Sequence, residues 1–153
     1  MFRRTVVVVS RGVGIYLDDF ASGTIVDNNL LVNTIRGIVI GGGRDNQVAG
    51  NVIVNSIAPI QLDARGLTWA SDHITGEKSR IVALCKSVLE KSPIYGERYP
   101  QLLSFLQSEP AKPLGNILRS NTFNDPAYSD WPTDRWCFRR ERRSLFCANQ
   151  TKW

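Results

Sequence analysis

Two aspartates are the residues of this chain whose type and spacing can do chemistry. Asp18 follows the run Gly14-Ile15-Tyr16-Leu17, and Asp63 follows Pro59-Ile60-Gln61-Leu62. Between them, Gly37-Ile38-Val39-Ile40 is followed by Gly41. Stacked as neighbouring parallel strands, the three runs put Asp18, Gly41 and Asp63 in one column, with the outer two backbones two strand spacings, ~9.5 Å, apart. That separation is near the about 6.5–9.5 Å of the acid–base pair in an inverting glycosidase, and wider than the about 5–5.5 Å of a retaining pair. One carboxylic acid would protonate the leaving oxygen while the other carboxylate activated water. Gly41 would leave room for a sugar ring between them. Asp19, Arg44, Asp45 and Arg65 lie nearby in sequence and could position hydroxyls or carboxylates; Tyr16 and Trp69 could stack on a sugar face. The competing reading is architectural: aspartates at strand ends cap turns, and Arg65 pairs with Asp63 or Asp45.

The stacking assumption comes from a repeat. The three runs recur at offsets of 23 and 22 residues, and Asn29-Leu30-Leu31-Val32-Asn33 recurs as Asn51-Val52-Ile53-Val54-Asn55 at 22. Each unit holds two short apolar runs separated by Gly, Asp and Asn. A fixed period in the low twenties with polar turns implies a solenoid. The Leu-x-x-Leu-x-Leu frame of leucine-rich repeats is absent, so the fold class is an all-β solenoid, a right-handed parallel β-helix of few coils. Ile15, Leu17, Ile38, Ile40, Ile60 and Leu62 alternate inward; Tyr16, Val39 and Gln61 alternate outward. Asn29 and Asn51 fall in equivalent turns, where stacked carboxamides can form a ladder. Asn116–Phe123 matches Asn46–Ile53, which brings Asn121 into the same column.

Gly14-Ile15-Tyr16-Leu17-Asp18-Asp19, Gly41-Gly42-Gly43-Arg44-Asp45-Asn46 and Leu62-Asp63-Ala64-Arg65-Gly66 resemble the bacterial right-handed β-helix repeat proteins. So do the later Glu97-Arg98-Tyr99-Pro100 and Gly115-Asn116. That group belongs to the pectate-lyase-like superfamily of carbohydrate-active enzymes. The resemblance runs from about Gly12 to Phe123. It implies a polysaccharide or oligosaccharide partner, an exported protein in a secreted or periplasmic location, and a chain that is a piece of a longer member. The expected activity is glycoside hydrolase-like, with no cofactor. A polysaccharide lyase is the alternative, with Ca²⁺ held by Asp18, Asp19, Asp45 and Asp63. No lysine precedes Lys78, so its base would be Arg44 or Arg65. The third possibility is a non-catalytic, carbohydrate-binding or structural β-helix.

Five segments follow from this reading: a lead-in strand at 1–13, coils at 14–69, a helical insertion at 70–114, a resumed strand at 115–124 and a basic tail at 125–153. In the insertion, Ser79–Lys91 places Ile81, Leu84, Cys85, Val88 and Leu89 on one helix face, and Glu97–Gln107 predicts a second helix with Pro100 in its first turn. Arg44 follows three glycines that permit positive φ or close approach of a ligand. The net charge of +5 resides in residues 135–153; residues 1–134 sum to zero, so the body is not a basic nucleic-acid binder. Met1–Ser10 is too short in its apolar run for a signal peptide, and no stretch approaches the ~20 apolar residues of a membrane span. Cys85, Cys137 and Cys147 are too scattered for a disulfide framework or a metal site, and His73, the sole histidine, predicts a turn at the start of the insertion.

Overall fold

Runs of three to six β-branched and aliphatic residues, cut by Asn, Gly and Asp, form short strands whose ends are set by left-handed turn residues. A computed structural model of the chain describes residues 1–8, 12–74, 79–107 and 109–124. The strands are β1 (Phe2–Arg3), β2 (Val6–Val8), β3 (Val13–Leu17), β4 (Ile25–Asp27), β5 (Leu30–Val32), β6 (Arg36–Gly41), β7 (Gln47–Ala49), β8 (Val52–Val54), β9 (Ala58–Asp63), β10 (Ile117–Arg119) and β11 (Thr122–Asn124). Between β9 and β10 lie a 3-10 turn (Arg65–Leu67) and helices α1 (Ser71–Ile74), α2 (Arg80–Lys91), α3 (Ile94–Arg98) and α4 (Pro100–Gln107). The predicted lead-in includes Val9, which lies outside the described residues, as does the whole of the basic tail.

Among the described residues all pairing is parallel, in three sheets ordered β1-β4-β7-β10, β2-β5-β8-β11 and β3-β6-β9. The chain visits the sheets in the same order each time, so each rung contributes one strand to each sheet. This arrangement fits a β-helix. It also corrects the two-run reading of the repeat: Gly37–Asn55 and its flanks hold three strands per rung, because the segment after Gly43 makes two strands, β7 and β8, of only three residues each. The expected register holds. Ile15 faces Ile38 and Ile38 faces Ile60; Leu17, Ile40 and Leu62 form the adjoining column. These residues bury together with Val26, Leu31, Val48 and Ile53 from the other two sheets in one core.

Side-chain amides lace the rungs in two columns. In the first, Asn51 Oδ1 accepts from the Asn29 N–H at 3.0 Å and from Asn29 Nδ2 at 2.8 Å. Asn121 Oδ1 accepts likewise from Asn51 N–H at 3.0 Å and Asn51 Nδ2 at 2.9 Å. The second column runs Thr24, Asn46, Asn116: Asn46 Oδ1 takes the Thr24 N–H at 2.9 Å, and Asn116 Oδ1 takes the Asn46 N–H at 3.1 Å. The residue before each ladder position is left-handed: Asn28, Gly50 and Ser120 precede the first column, and Gly23, Asp45 and Gly115 the second. Asparagine and glycine tolerate that region best.

Rung spacing leaves no room at Gly37. A Cβ there would meet the Pro59 carbonyl of the next rung and the Ile53 side chain. Gly37→Ala therefore forces two rungs apart and is expected to lower stability by about 1–3 kcal/mol, read as a fall in melting temperature. At the first rung, Arg3 Nε donates to Asp27 Oδ1 at 2.8 Å. That hydrogen bond and the guanidinium charge hold the Asp27 carboxyl below the ordinary aspartate range. A depressed folded value means that the pair's contribution is present above the ordinary carboxyl pKa and is lost as pH falls through the lower folded value. An NMR titration of Asp27 should show a midpoint below that of a free aspartate, restored by Arg3→Ala. No shift in the variant would mean that Arg3 is not the cause.

Contacts divide the described residues into one unit of 1–63 and 114–124 and a second of 64–113. In the second unit Ser79 caps α2, its hydroxyl accepting from the Val82 N–H. The predicted helix thus starts one residue later than expected, with Ser79 as its cap. The second predicted helix is two, α3 and α4, and Pro100 is the first residue of α4 rather than part of the first turn of a longer helix. Proline there lacks the N–H that the preceding helix would need to continue. No residue of α2 is buried, and Leu84 is 63% exposed, so the apolar face predicted for it stays largely open among the described residues. His73 lies in α1, not in a turn. No helix among the described residues is long and apolar enough to cross a membrane.

Candidate functional site

The three strands of the β3-β6-β9 sheet end side by side. Leu17 pairs with Ile40 and Ile40 with Leu62, and Gly41 pairs with Asp63. Asp18, one residue past Leu17, falls over Gly41 in the same progression, so the column Asp18, Gly41, Asp63 forms at the strand ends. Two strand spacings separate the backbones of Asp18 and Asp63, about 9.6 Å.

The turn after Asp18 is tightly specified. Asp18 Oδ1 accepts the Asp19 N–H at 2.9 Å, its carbonyl accepts the Ala21 N–H at 2.9 Å, and the Phe20 N–H reaches the Gly41 carbonyl at 2.9 Å. Asp19 and Phe20 both have positive φ, 42° and 63°. Left-handed backbone at consecutive non-glycine residues costs about 1–3 kcal/mol each and gathers at functional sites. The Ser22 hydroxyl donates to the Phe20 carbonyl at 2.8 Å and accepts the Arg44 N–H at 2.9 Å, tying this turn to the glycine turn one rung on. In that second turn Gly42 supplies a φ of 75°, and a Cβ on Gly43 would strike the Ala21 carbonyl. The close approach that three glycines permit is therefore to the neighbouring rung.

The remaining predicted residues divide between the two units. Tyr16, 43% exposed and two residues before Asp18, shares a column with Val39 and Gln61 on the face opposite the core; Val39, expected to point outward, is buried at 1% exposure, so that face is covered one rung on. Arg44 is 7% exposed, and Asp45, with φ of 55°, donates its N–H to the Leu114 carbonyl. Tyr16, Asp18, Asp19, Arg44, Asp45 and Asp63 thus come from the strand ends and turns of the stranded unit. Arg65 and Trp69 belong to the helical unit, where the Arg65 guanidinium lies 5.3 Å from the Trp69 ring centroid. Arg65 is 4% exposed and Trp69 71%, so one ring face rests on a buried cation and the indole stands out into solvent. Phe20 and Ser22 did not stand out in the sequence. Their signal was there in the offset alone, since Ser22 precedes Arg44 by the repeat period.

No group of three or more His, Cys, Asp or Glu able to hold a metal ion occurs among the described residues. The four aspartates of the calcium reading do not gather into such a group. Cys85 is part-buried in α2, and burial pushes its thiol up, away from the thiolate that binds soft metals. Cys137 and Cys147 lie outside the described residues.

No curated protein and no solved structure matches the chain. The profile of one family, described as periplasmic copper-binding protein (NosD), matches residues 3–82.

Proposed function

The chain belongs to the periplasmic copper-binding protein (NosD) family, and from that premise we propose that its stranded unit is a right-handed parallel β-helix that binds an extended glycan along the strand-end rim of the β3-β6-β9 sheet, in the periplasm. The observation behind this reading is the register column Asp18, Gly41, Asp63 beside the exposed Tyr16. Carboxylates spaced along a rim accept hydrogen bonds from sugar hydroxyls, and an exposed aromatic ring offers an apolar face to a pyranose. Asp18, Asp19 and Asp63 are assigned to hydroxyls and Tyr16 to stacking. Arg44 and Asp45 brace the turns.

Hydrolysis is the second reading, favoured by the spacing of Asp18 and Asp63, with the two carboxyls as the acid and base of an inverting, glycoside hydrolase-like site. One experiment separates the two. Soluble polysaccharides are screened by calorimetry for binding and by reducing-end release for cleavage, with the wild type, Asp18→Asn, Asp63→Asn and Tyr16→Ala. Glycan binding expects at least a tenfold loss of affinity in Tyr16→Ala. Hydrolysis expects reducing ends from the wild type and a fall of at least a hundredfold in either Asn variant. Affinities unchanged in all three variants would sink the rim as a glycan site.

Copper enters through the family's description. Copper sites draw on thiolate, thioether and imidazole donors. Among the described residues these are Met1, His73 and Cys85, and neither His73 nor Cys85 belongs to a group of His, Cys, Asp or Glu able to hold a metal. The described residues do not fit a copper centre.

A further inference from the structure

The asparagine ladder has a direction. Each ladder oxygen faces back to the preceding rung, while each Nδ2 donates back to a carbonyl of that rung and, where a rung follows, forward to its Oδ1. Asn51 Nδ2 donates to the Val26 carbonyl and Asn121 Nδ2 to the Val48 carbonyl, each one rung earlier. In the second column Asn46 Nδ2 takes the Ala21 carbonyl and Asn116 Nδ2 the Gly43 carbonyl, again one rung earlier. A rung's own backbone N–H at the ladder position is satisfied by the asparagine of the rung that follows.

The last rung, β10 and β11, therefore presents a defined set of groups. Asn121 is fully buried; its Oδ1 serves Asn51 and one Nδ2 hydrogen the Val48 carbonyl, and its second Nδ2 hydrogen holds the place from which Asn29 and Asn51 donate to the next Oδ1. Its backbone N–H corresponds to the donors that Asn29 and Asn51 give to the next carboxamide. The Ser120 N–H corresponds to the Asn28 and Gly50 N–H groups, which reach the carbonyls of Ala49 and Arg119 one rung on. No acceptor for the Ser120 or Asn121 N–H occurs among the described residues. The Asn121 carbonyl likewise corresponds to that of Asn51, which takes the Thr122 N–H. Buried main-chain donors in folded proteins almost always find partners.

We infer that this edge is a docking surface for one further β-helix coil of a partner polypeptide, laid parallel on β10 and β11 and bearing Asn-x-φ-x-x-Asn-x-φ, where φ is an apolar residue. That pattern is the one the rungs themselves share. Asn46-Gln47-Val48-Ala49-Gly50-Asn51-Val52-Ile53 and Asn116-Ile117-Leu118-Arg119-Ser120-Asn121-Thr122-Phe123 both follow it, with a left-handed residue at the fifth position. The partner's second asparagine addresses the N–H of Asn121. Its apolar residues stack on Leu118 and Phe123, which pack against the core from the last rung.

Charge selects the fourth position. Arg3, Asp27, Ala49 and Arg119 form one column, and within it Arg3 pairs with Asp27. An aspartate in the partner over the exposed Arg119 would repeat that pair. The same column argues against a second copy of this chain stacked head to tail. Arg119 would then meet Arg3, and the Asn121 N–H would meet Thr5, which stands at the ladder position of the first rung. Threonine is too short to span a rung as asparagine does, and the Thr5 hydroxyl already turns to the Arg3 carbonyl.

The probe is a synthetic peptide with the sequence of residues 44–56, titrated into the full chain. Its Asn46→Ala/Asn51→Ala form is the control, and its Ala49→Asp form is the charge test. Expected are saturable binding by the first, at least tenfold weaker binding by the control, and affinity about two- to fivefold higher for the Asp form, falling with salt. Hydrogen exchange should slow at the Ser120 and Asn121 amides when the peptide is bound. Equal binding of the peptide and its control would overturn the proposal, as would no saturable binding, or protection confined to other rungs. Self-association in sedimentation that the peptide fails to displace would assign the edge to a second copy and overturn it too.

Discussion

Asn51→Ala is expected to lower the stability of the chain by about 3–5 kcal/mol, the largest loss of any single side-chain truncation proposed here. Asn51 is fully buried and its carboxamide serves three partners in two neighbouring rungs. It accepts from the Asn29 N–H and Nδ2, and donates to the Val26 carbonyl and to Asn121 Oδ1. Alanine removes these bonds and strands the Asn29 N–H and the Val26 carbonyl where water does not reach. Each buried unsatisfied group costs about 1–3 kcal/mol, and the vacated volume adds to it. A thermal melt should move down by roughly 10 °C on the scale of a chain this size. Asn55 gives the matching control, because its Nδ2 bonds Asn33 Oδ1 at 2.7 Å on the exposed outside of the turns. Asn55→Gly keeps the left-handed backbone and should stay within about 1 kcal/mol of wild type. Equal losses in the two variants would show that the interior ladder contributes no more than ordinary turn polarity.

The second large effect is Ile38→Ala. Ile38 is fully buried between Ile15 on one rung and Ile60 on the next, in the middle strand of its sheet. Truncation deletes three carbons from a site whose walls cannot close. Rung spacing is fixed by the parallel hydrogen bonds on both sides and by the amide ladders, so the neighbours relax little. Leucine- or isoleucine-to-alanine changes at such sites cost about 2–5 kcal/mol, with the upper part of the range where relaxation is blocked. Denaturant unfolding should show a lower midpoint with an unchanged slope. Val39→Thr, one residue along on the opposite face, tests the alternation: it changes shape little but places a hydroxyl at a buried site, and its loss should be smaller than that of Ile38→Ala.

Much of the stranded unit is visible in the sequence, and for a physical reason. Parallel stacking puts like residues on like positions, so Ile15, Ile38 and Ile60 report the register through their spacing alone. Asn29, Asn51 and Asn121 do the same for the first amide column. The second column, Thr24, Asn46 and Asn116, was equally present in the alignment, but its first member is a threonine and breaks the pattern of identical residues. The third strand of each rung was hidden because a strand of three residues is too short to show alternation. α2 was legible as a helix from the spacing of Ile81, Leu84 and Val88, but Ser79 read as its first residue rather than as its cap. The exposure of its apolar face was not, since periodicity records which residues share a face but not what covers it. At the rim, the column of Asp18, Gly41 and Asp63 follows from register. The left-handed turn at Asp19 and Phe20 does not, because phenylalanine gives no warning of positive φ.

The helical insertion enters between β9 and β10, and its effect on the ladder can be counted. Asn46 finds Thr24 across 22 residues of chain, but finds Asn116 across 70; Asn51 finds Asn121 across 70 as well. The bonds, at 2.9, 3.0 and 2.9 Å, are alike, and the loop they close differs. Going from 22 to 70 residues adds about 1 kcal/mol of closure entropy. That difference is small in equilibrium terms but large in the order of events. The rungs up to β9 assemble from contacts local in the chain, while β10 and β11 wait for a longer search. The edge that ends in Asn121 is thus the last part of the stack to form and the first to let go, so amide exchange at Thr122 and Phe123 should outpace that at Val52 and Ile53 even though the hydrogen bonds holding them look alike.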